Sequence, residues 1–132
     1  AAIGHQPRRL PEPMLQVDTA LVDALHARGF TIAVETNGTL APPAGLDWVC
    51  VSPKAGAPLV LTRGQELKVV VPQAGFTEDD LLALEKLSFE QLRVQAMDSA
   101  DPEVVQRAVN DAAVYQVVIT PWQSESLRLL LR

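Results

Sequence analysis

The chain has 132 residues, 48% of them hydrophobic, with a formal net charge of -5 and a positive mean hydropathy, which fits a folded domain with a core of its own rather than a disordered segment. The acidic balance argues against a broad nucleic-acid surface, which needs clustered Lys and Arg, so a small-molecule ligand is the better expectation. Cys50 is the single cysteine, which excludes an intrachain disulfide and a cysteine-based metal site completed within these residues.

No run approaches the roughly 18 consecutive apolar residues of a membrane helix. The opening AAIGHQPRRLPEP lacks the basic-then-apolar layout of a signal peptide, so the expectation is a cytoplasmic protein with no membrane partner. Prolines at 7, 11 and 13 make residues 1 to 13 an irregular leader. From Thr19, Leu21, Val22 and Leu25 recur at helical spacing, Asp18 or Thr19 can cap the start and Gly29 follows the last turn, which predicts a helix over 19 to 28. FTIAVE predicts a strand near 30 to 35, TNGTLAPPAG a loop, and WVCVS a strand near 48 to 51 bounded by Pro53. The charges of RGQELK read as a solvated turn, and ELKVVVP predicts a strand over 66 to 71 closed by Pro72.

TEDDLLALEKL, with acidic residues in its first turn, predicts a helix over 77 to 86, and FEQLRVQAM a strand near 89 to 95. Pro102 near a start and apolar residues at 104, 105, 108, 109 and 112 predict a helix over 102 to 114. A last strand is expected near 115 to 119, and residues 120 to 132 form a terminal helix or tail. The alternation implies a single α/β domain with a mainly parallel sheet and right-handed crossovers, either an open sheet or part of a (β/α) barrel.

Polar sets fall at or just past the C-terminal ends of the expected strands: Glu35 with Asn37, Ser52 with Lys54, Gln73, and Gln95 with Asp98. In a parallel sheet those ends share one edge, so residues remote in sequence should line one mouth. A carboxylate can take two ribose hydroxyls, an amide can read an adenine edge or a carboxylate, and Lys54 offers a compact cation for a carboxylate. A ligand carrying a sugar and a carboxylate suits them. Each set also has a plainer reading, because Asn-Gly is a common turn signal and Ser52-Pro53-Lys54 can be a strand-ending turn with a solvated lysine. Cys50 reads as a small buried hydrophobe, His5 and His26 as solvent-exposed, and Trp48 and Trp122 as packing residues rather than base platforms.

EPMLQVD (12 to 18), ALVDALHARGFTIAVETNG (20 to 38), DWVCVSPKAGAPLV (47 to 60), ELKVVVPQ (66 to 73) and VQAMD (94 to 98), in this order and spacing, resemble the second half of 7-carboxy-7-deazaguanine synthase. That family is a radical S-adenosylmethionine group of the 7-deazapurine and queuosine pathway. The resemblance implies a partial TIM-like barrel of radical S-adenosylmethionine type, in which a 4Fe-4S cluster cleaves S-adenosylmethionine to a 5'-deoxyadenosyl radical. With magnesium present, the pterin substrate 6-carboxy-5,6,7,8-tetrahydropterin then contracts to 7-carboxy-7-deazaguanine and ammonia leaves. Carried over by motif, Glu35 and Asn37 sit around S-adenosylmethionine, Ser52, Pro53 and Lys54 line it, and Gln95, Ala96, Met97 and Asp98 close the adenine side. Glu12 corresponds to the acid of the family's Gly-Gly-Glu-Pro motif, near the methionine amino group.

The chain also departs from the family. The three cluster cysteines lie upstream of the matched motifs, Leu10 and Pro11 stand where the family has two glycines, QAMD replaces Gln-Pro-Met-Asp, and WQSESLRLLLR replaces the closing Gln-Thr-His-Lys run. These departures predict a truncated or frame-altered relative that is inactive by itself, with no metal ligands of its own. An exposed sheet edge in such a half-barrel predicts a homodimer or higher association. The rival from another class is a non-catalytic α/β binding or interaction module descended from the same family.

Overall fold

A computed structural model describes residues 12–97 and 99–114. Glu12 caps a short 3-10 helix, Pro13–Leu15. Helix α1, Thr19–His26, begins where Asp18 Oδ1 accepts the Leu21 amide at 2.8 Å. Its regular bonding stops at His26, two residues before the expected end. There a Schellman closure takes over: Gly29 N–H donates to His26 and Phe30 N–H to Leu25. Strand β1 is Ala33–Thr36, β2 is Trp48–Val51, β3 is Arg63–Val71, and β4 is Ser88–Ala96. Helix α2, Glu78–Glu85, is opened by a capping box in which Thr77 and Asp80 satisfy each other's backbone N–H groups. Helix α3 is Pro102–Val114, as its apolar spacing predicts.

Two expectations are corrected. β1 starts at Ala33 rather than near 30, because the chain first turns at Gly29 and Ile32 O is engaged by the Asp47 and Trp48 amides ahead of the ladder. The strand expected over 66 to 71 is there but starts at Arg63, paired with Ser88, so the charges of RGQELK belong to β3 and not to a turn. Polar residues on both faces hid it: Glu66 and Lys68 fall on the side opposite Leu67, and Arg63 and Gln65 on the Leu67 side ahead of the core. The expected strand at 115 to 119, the tail and residues 1 to 11 lie outside the described residues.

The four strands form one sheet in the order β1-β2-β3-β4, every neighbouring pair parallel. Side chains alternate across it. One face carries Val34, Val49, Val51, Leu67, Val69, Val71 and Val94, and all three helices lie against it: Val22 of α1 packs with Val34, Leu81 of α2 and Val105 of α3 with Val69, Val71 and Val94. Leu67, Val22, Val51, Val69, Val71 and Val94 are the largest fully buried side chains. Each such burial contributes about 1.5 to 3 kcal/mol.

The opposite face carries Glu35, Cys50, Glu66, Lys68, Gln91 and Arg93, placed by the register Glu35↔Cys50↔Glu66↔Gln91 and Lys68↔Arg93. No helix among the described residues covers it. Nor is any described helix long and apolar enough to cross a membrane.

Candidate functional site at the C-terminal strand edge

Parallel pairing brings the C-terminal ends of β1, β2 and β3 to one edge, and the loops after them enclose a concavity of about 780 Å³. Its lining includes Glu12, Glu35, Asn37, Ser52, Lys54 and Gln73. The stretch Glu35-Thr36-Asn37-Gly38 builds one wall, and its conformation follows from side-chain bonds to backbone. Thr36, 2% exposed, donates a hydrogen bond from its hydroxyl to Glu12 Oε1 and accepts the Gly38 amide at 3.1 Å. Asn37 Oδ1 accepts both the Thr39 amide at 2.9 Å and the Thr39 hydroxyl at 2.7 Å, an Asx turn. Gly38 then takes φ +78°, and its carbonyl accepts the Val60 and Leu61 amides, tying the loop after β1 to the segment before β3.

Glu12 reaches this wall from the other end of the described chain. Its carboxylate accepts the Thr36 hydroxyl, the Asn37 amide at 2.9 Å and the Met14 amide at 3.3 Å. Both oxygens are therefore engaged by protein, and the visible work of Glu12 is to fasten the β1 loop. Ser52, 3% exposed, is held by its amide on the Thr36 carbonyl at 2.7 Å, and its hydroxyl accepts from Lys54 Nζ at 3.0 Å. Pro53 is buried and outside the lining. Gln73 Oε1 accepts the Ala55 amide at 2.8 Å, which closes the β2 loop onto the end of β3.

Glu35 differs from these. Its Oε2 meets Lys68 Nζ at 2.7 Å on the uncovered face, whereas Oε1 of the same carboxylate has no protein partner among the described residues. The edge thus presents one half-free carboxylate oxygen, one ammonium and several small polar groups, a set able to take hydroxyls and a carboxylate.

The expectation of one shared concavity holds for Glu35, Asn37, Ser52 and Lys54, and it is corrected for Gln95. Gln95 sits on β4 opposite Val70, with Ala96 opposite Val71 and Met97 exposed beyond the strand; neither Gln95 nor Met97 lines the concavity. Strands spaced about 4.8 Å apart place β4 some 14 Å from β1, too far for one small mouth without a further element. Asp98 lies outside the described residues. Gln73, expected among the polar sets, is in the lining; two contributors were missed, Thr36 in the lining and Lys68, which reaches Glu35 from outside it. The first had a signal, a β-branched hydroxyl between an acid and Asn-Gly.

Cys50 is buried on β2, and its thiol is pushed up to about 12 by burial and by the charges of Glu66 and Glu35. A thiol so held is a poor thiolate donor to iron. No group of three or more His, Cys, Asp or Glu side chains that could hold a metal ion exists among the described residues. Among the described residues the edge could hold hydroxyls and a carboxylate, whereas Cys50 alone does not supply the set of thiolates that an iron-sulfur cluster needs.

No family model matches the chain. Individual relatives do. It is 60% identical over 95 residues to the 7-carboxy-7-deazaguanine synthase of Bradyrhizobium diazoefficiens, covering 72% of this chain and 43% of that protein. The synthase of Caulobacter vibrioides is 58% identical over 90 residues, 68% of this chain and 41% of the relative, and that of Burkholderia multivorans 60% identical over 87 residues, 66% and 40%. By sequence this chain is a homologue of the 7-carboxy-7-deazaguanine synthases, and it spans about two fifths of the length of these relatives.

Proposed function

We propose that this chain supplies the S-adenosylmethionine-holding part of a 7-carboxy-7-deazaguanine synthase, with a partial TIM-like barrel as its frame. Sequential parallel strands with every described helix on one face support that frame, since a barrel keeps its helices outside and its inner face free. The observation that carries the functional reading is the joining of Glu35, Asn37, Ser52 and Lys54 at one strand edge. Glu35 Oε1 takes the ribose hydroxyls. Lys54, swung from Ser52, takes the methionine carboxylate, and the backbone around Asn37 and Ala55 shapes the floor.

In the family's reaction, ring contraction of 6-carboxy-5,6,7,8-tetrahydropterin with loss of ammonia, the reductive chemistry belongs to a 4Fe-4S cluster and the cofactor, with magnesium at the substrate. This chain's residues bind and orient; the cluster ligands must come from cysteines other than Cys50, so the chain is inactive without them. The uncovered face and the outer edges of β1 and β4 are where the rest of a barrel, or a second subunit of a homodimer, would seat. A cytoplasmic setting suits a pathway of soluble purine-like metabolites.

Calorimetric titration with S-adenosylhomocysteine and with adenosine tests the reading. Glu35→Gln should weaken both about ten- to a hundredfold, as expected for a lost charged hydrogen bond. Lys54→Met should weaken S-adenosylhomocysteine and leave adenosine unchanged. Absence of binding to the unaltered chain at millimolar ligand would overturn it.

A further inference from the structure

Lys68 lies outside the concavity, yet its Nζ is 2.7 Å from the Oε2 of Glu35, which lines it. The two side chains have different surroundings: Lys68 is 15% exposed and Glu35 56%. Lys68 stands two strands from Glu35 and crosses over Cys50 to reach it, with Arg93 as its own register partner on β4. A second cation directly opposite gives Lys68 no compensation. Arg93 is engaged elsewhere, 3.6 Å from Glu66 Oε1 and 2.7 Å from Gln91 Oε1. Glu66 in turn accepts Trp48 Nε1 at 3.3 Å. The polar face is thus sorted into separate pairs, and Glu35 is the carboxylate assigned to Lys68.

We infer that Lys68 is a positioning residue for the ribose-binding carboxylate, holding Glu35 by one oxygen so that the other is presented to a ligand diol. The inference rests on the ribose reading of Glu35 and adds the residue that makes that reading geometrically specific. A glutamate at a strand end has three rotatable side-chain bonds, and a buried ammonium on one oxygen removes most of that freedom before the ligand arrives. Pre-orientation of this kind sharpens selectivity for the hydroxyl pair, because an oxygen already in place gives up less freedom when the diol binds.

The test compares adenosine with 2',3'-dideoxyadenosine by equilibrium dialysis against the unaltered chain, Lys68→Met and Lys68→Arg. The unaltered chain should prefer adenosine, Lys68→Met should lose about tenfold of that preference while binding the dideoxy compound as before, and Lys68→Arg should recover part of it. Should Lys68→Met fail to fold, Lys68→Gln, which keeps a polar tip, carries the same comparison. A preference for adenosine that survives in the Met and Gln variants would overturn the role of Lys68 while leaving the ribose site standing. No preference in the unaltered chain would overturn both.

Discussion

Gly38 shows how much of the polar cluster after β1 is architecture. It takes φ +78°, and a Cβ there would come within 2.6 Å of Leu59 Cδ1 and 2.7 Å of Val51 Cγ1. Gly29 has nearly the same φ, +79°, with nothing within 4 Å. Backbone strain is common to both positions and the steric overlap belongs to one, so Gly38→Ala should cost about 2 to 4 kcal/mol and Gly29→Ala about 1 to 2. Urea unfolding of the two variants checks this; equal losses would mean that the Leu59 and Val51 contacts yield without cost. Asn-Gly in the sequence signalled a turn, and a turn is there. What one sequence could not show is that the Thr36 hydroxyl and the Asn37 amide are spent on Glu12, because residues 24 or 25 positions apart meet only once the sheet is formed. Glu35 was legible as a residue of the C-terminal strand edge; its pairing with Lys68 was not, since the two stand on strands separated by β2.

At the level of elements, local signals were read where they decide structure by themselves. Pro102 and the apolar spacing after it delimit α3, and the Thr77 to Asp80 spacing announces the capping box of α2. That box has a pH signature. The Thr77 backbone N–H and hydroxyl hold the Asp80 carboxyl below the usual carboxylate range. A depressed folded-state pKa contributes stability that is present above the unfolded value of about 3.9 and is lost as pH falls through the folded value. Asp80→Asn should therefore lower the urea midpoint at pH 7, and the gap from the unaltered chain should close in acid as pH falls through the lowered folded value. A gap that persists in acid would assign the effect to packing rather than to the carboxylate. Asp47 behaves in the same direction, its carboxyl lowered chiefly by the Ile32 amide and then by His26. Where elements were misjudged, at the starts of β1 and β3, the determining partner lay on another strand: Ser88 extends β3 to Arg63, and nothing between 63 and 66 announces it.

At the scale of the molecule, a parallel sheet with the described helices on one face leaves, among the described residues, a charged face open and concavities that include two of similar size. One lies at the C-terminal strand edge, and the other, about 820 Å³, is lined by Pro42, Leu46, Leu61, Arg63, Phe89 and neighbours near the opposite edge. Volume does not choose between them. Chemistry does: the C-terminal edge joins the half-free Glu35 carboxylate and the Lys54 ammonium, and parallel sheets keep their ligands at that edge. The most direct measurement is amide chemical-shift mapping of the 15N-labelled chain during titration with S-adenosylhomocysteine. Shifts gathered on Asn37, Ser52, Lys54 and Ala55 are the predicted result. Shifts gathered on residues 42 to 46, 60 to 65 and 88 to 90, with those four unmoved, would contradict it.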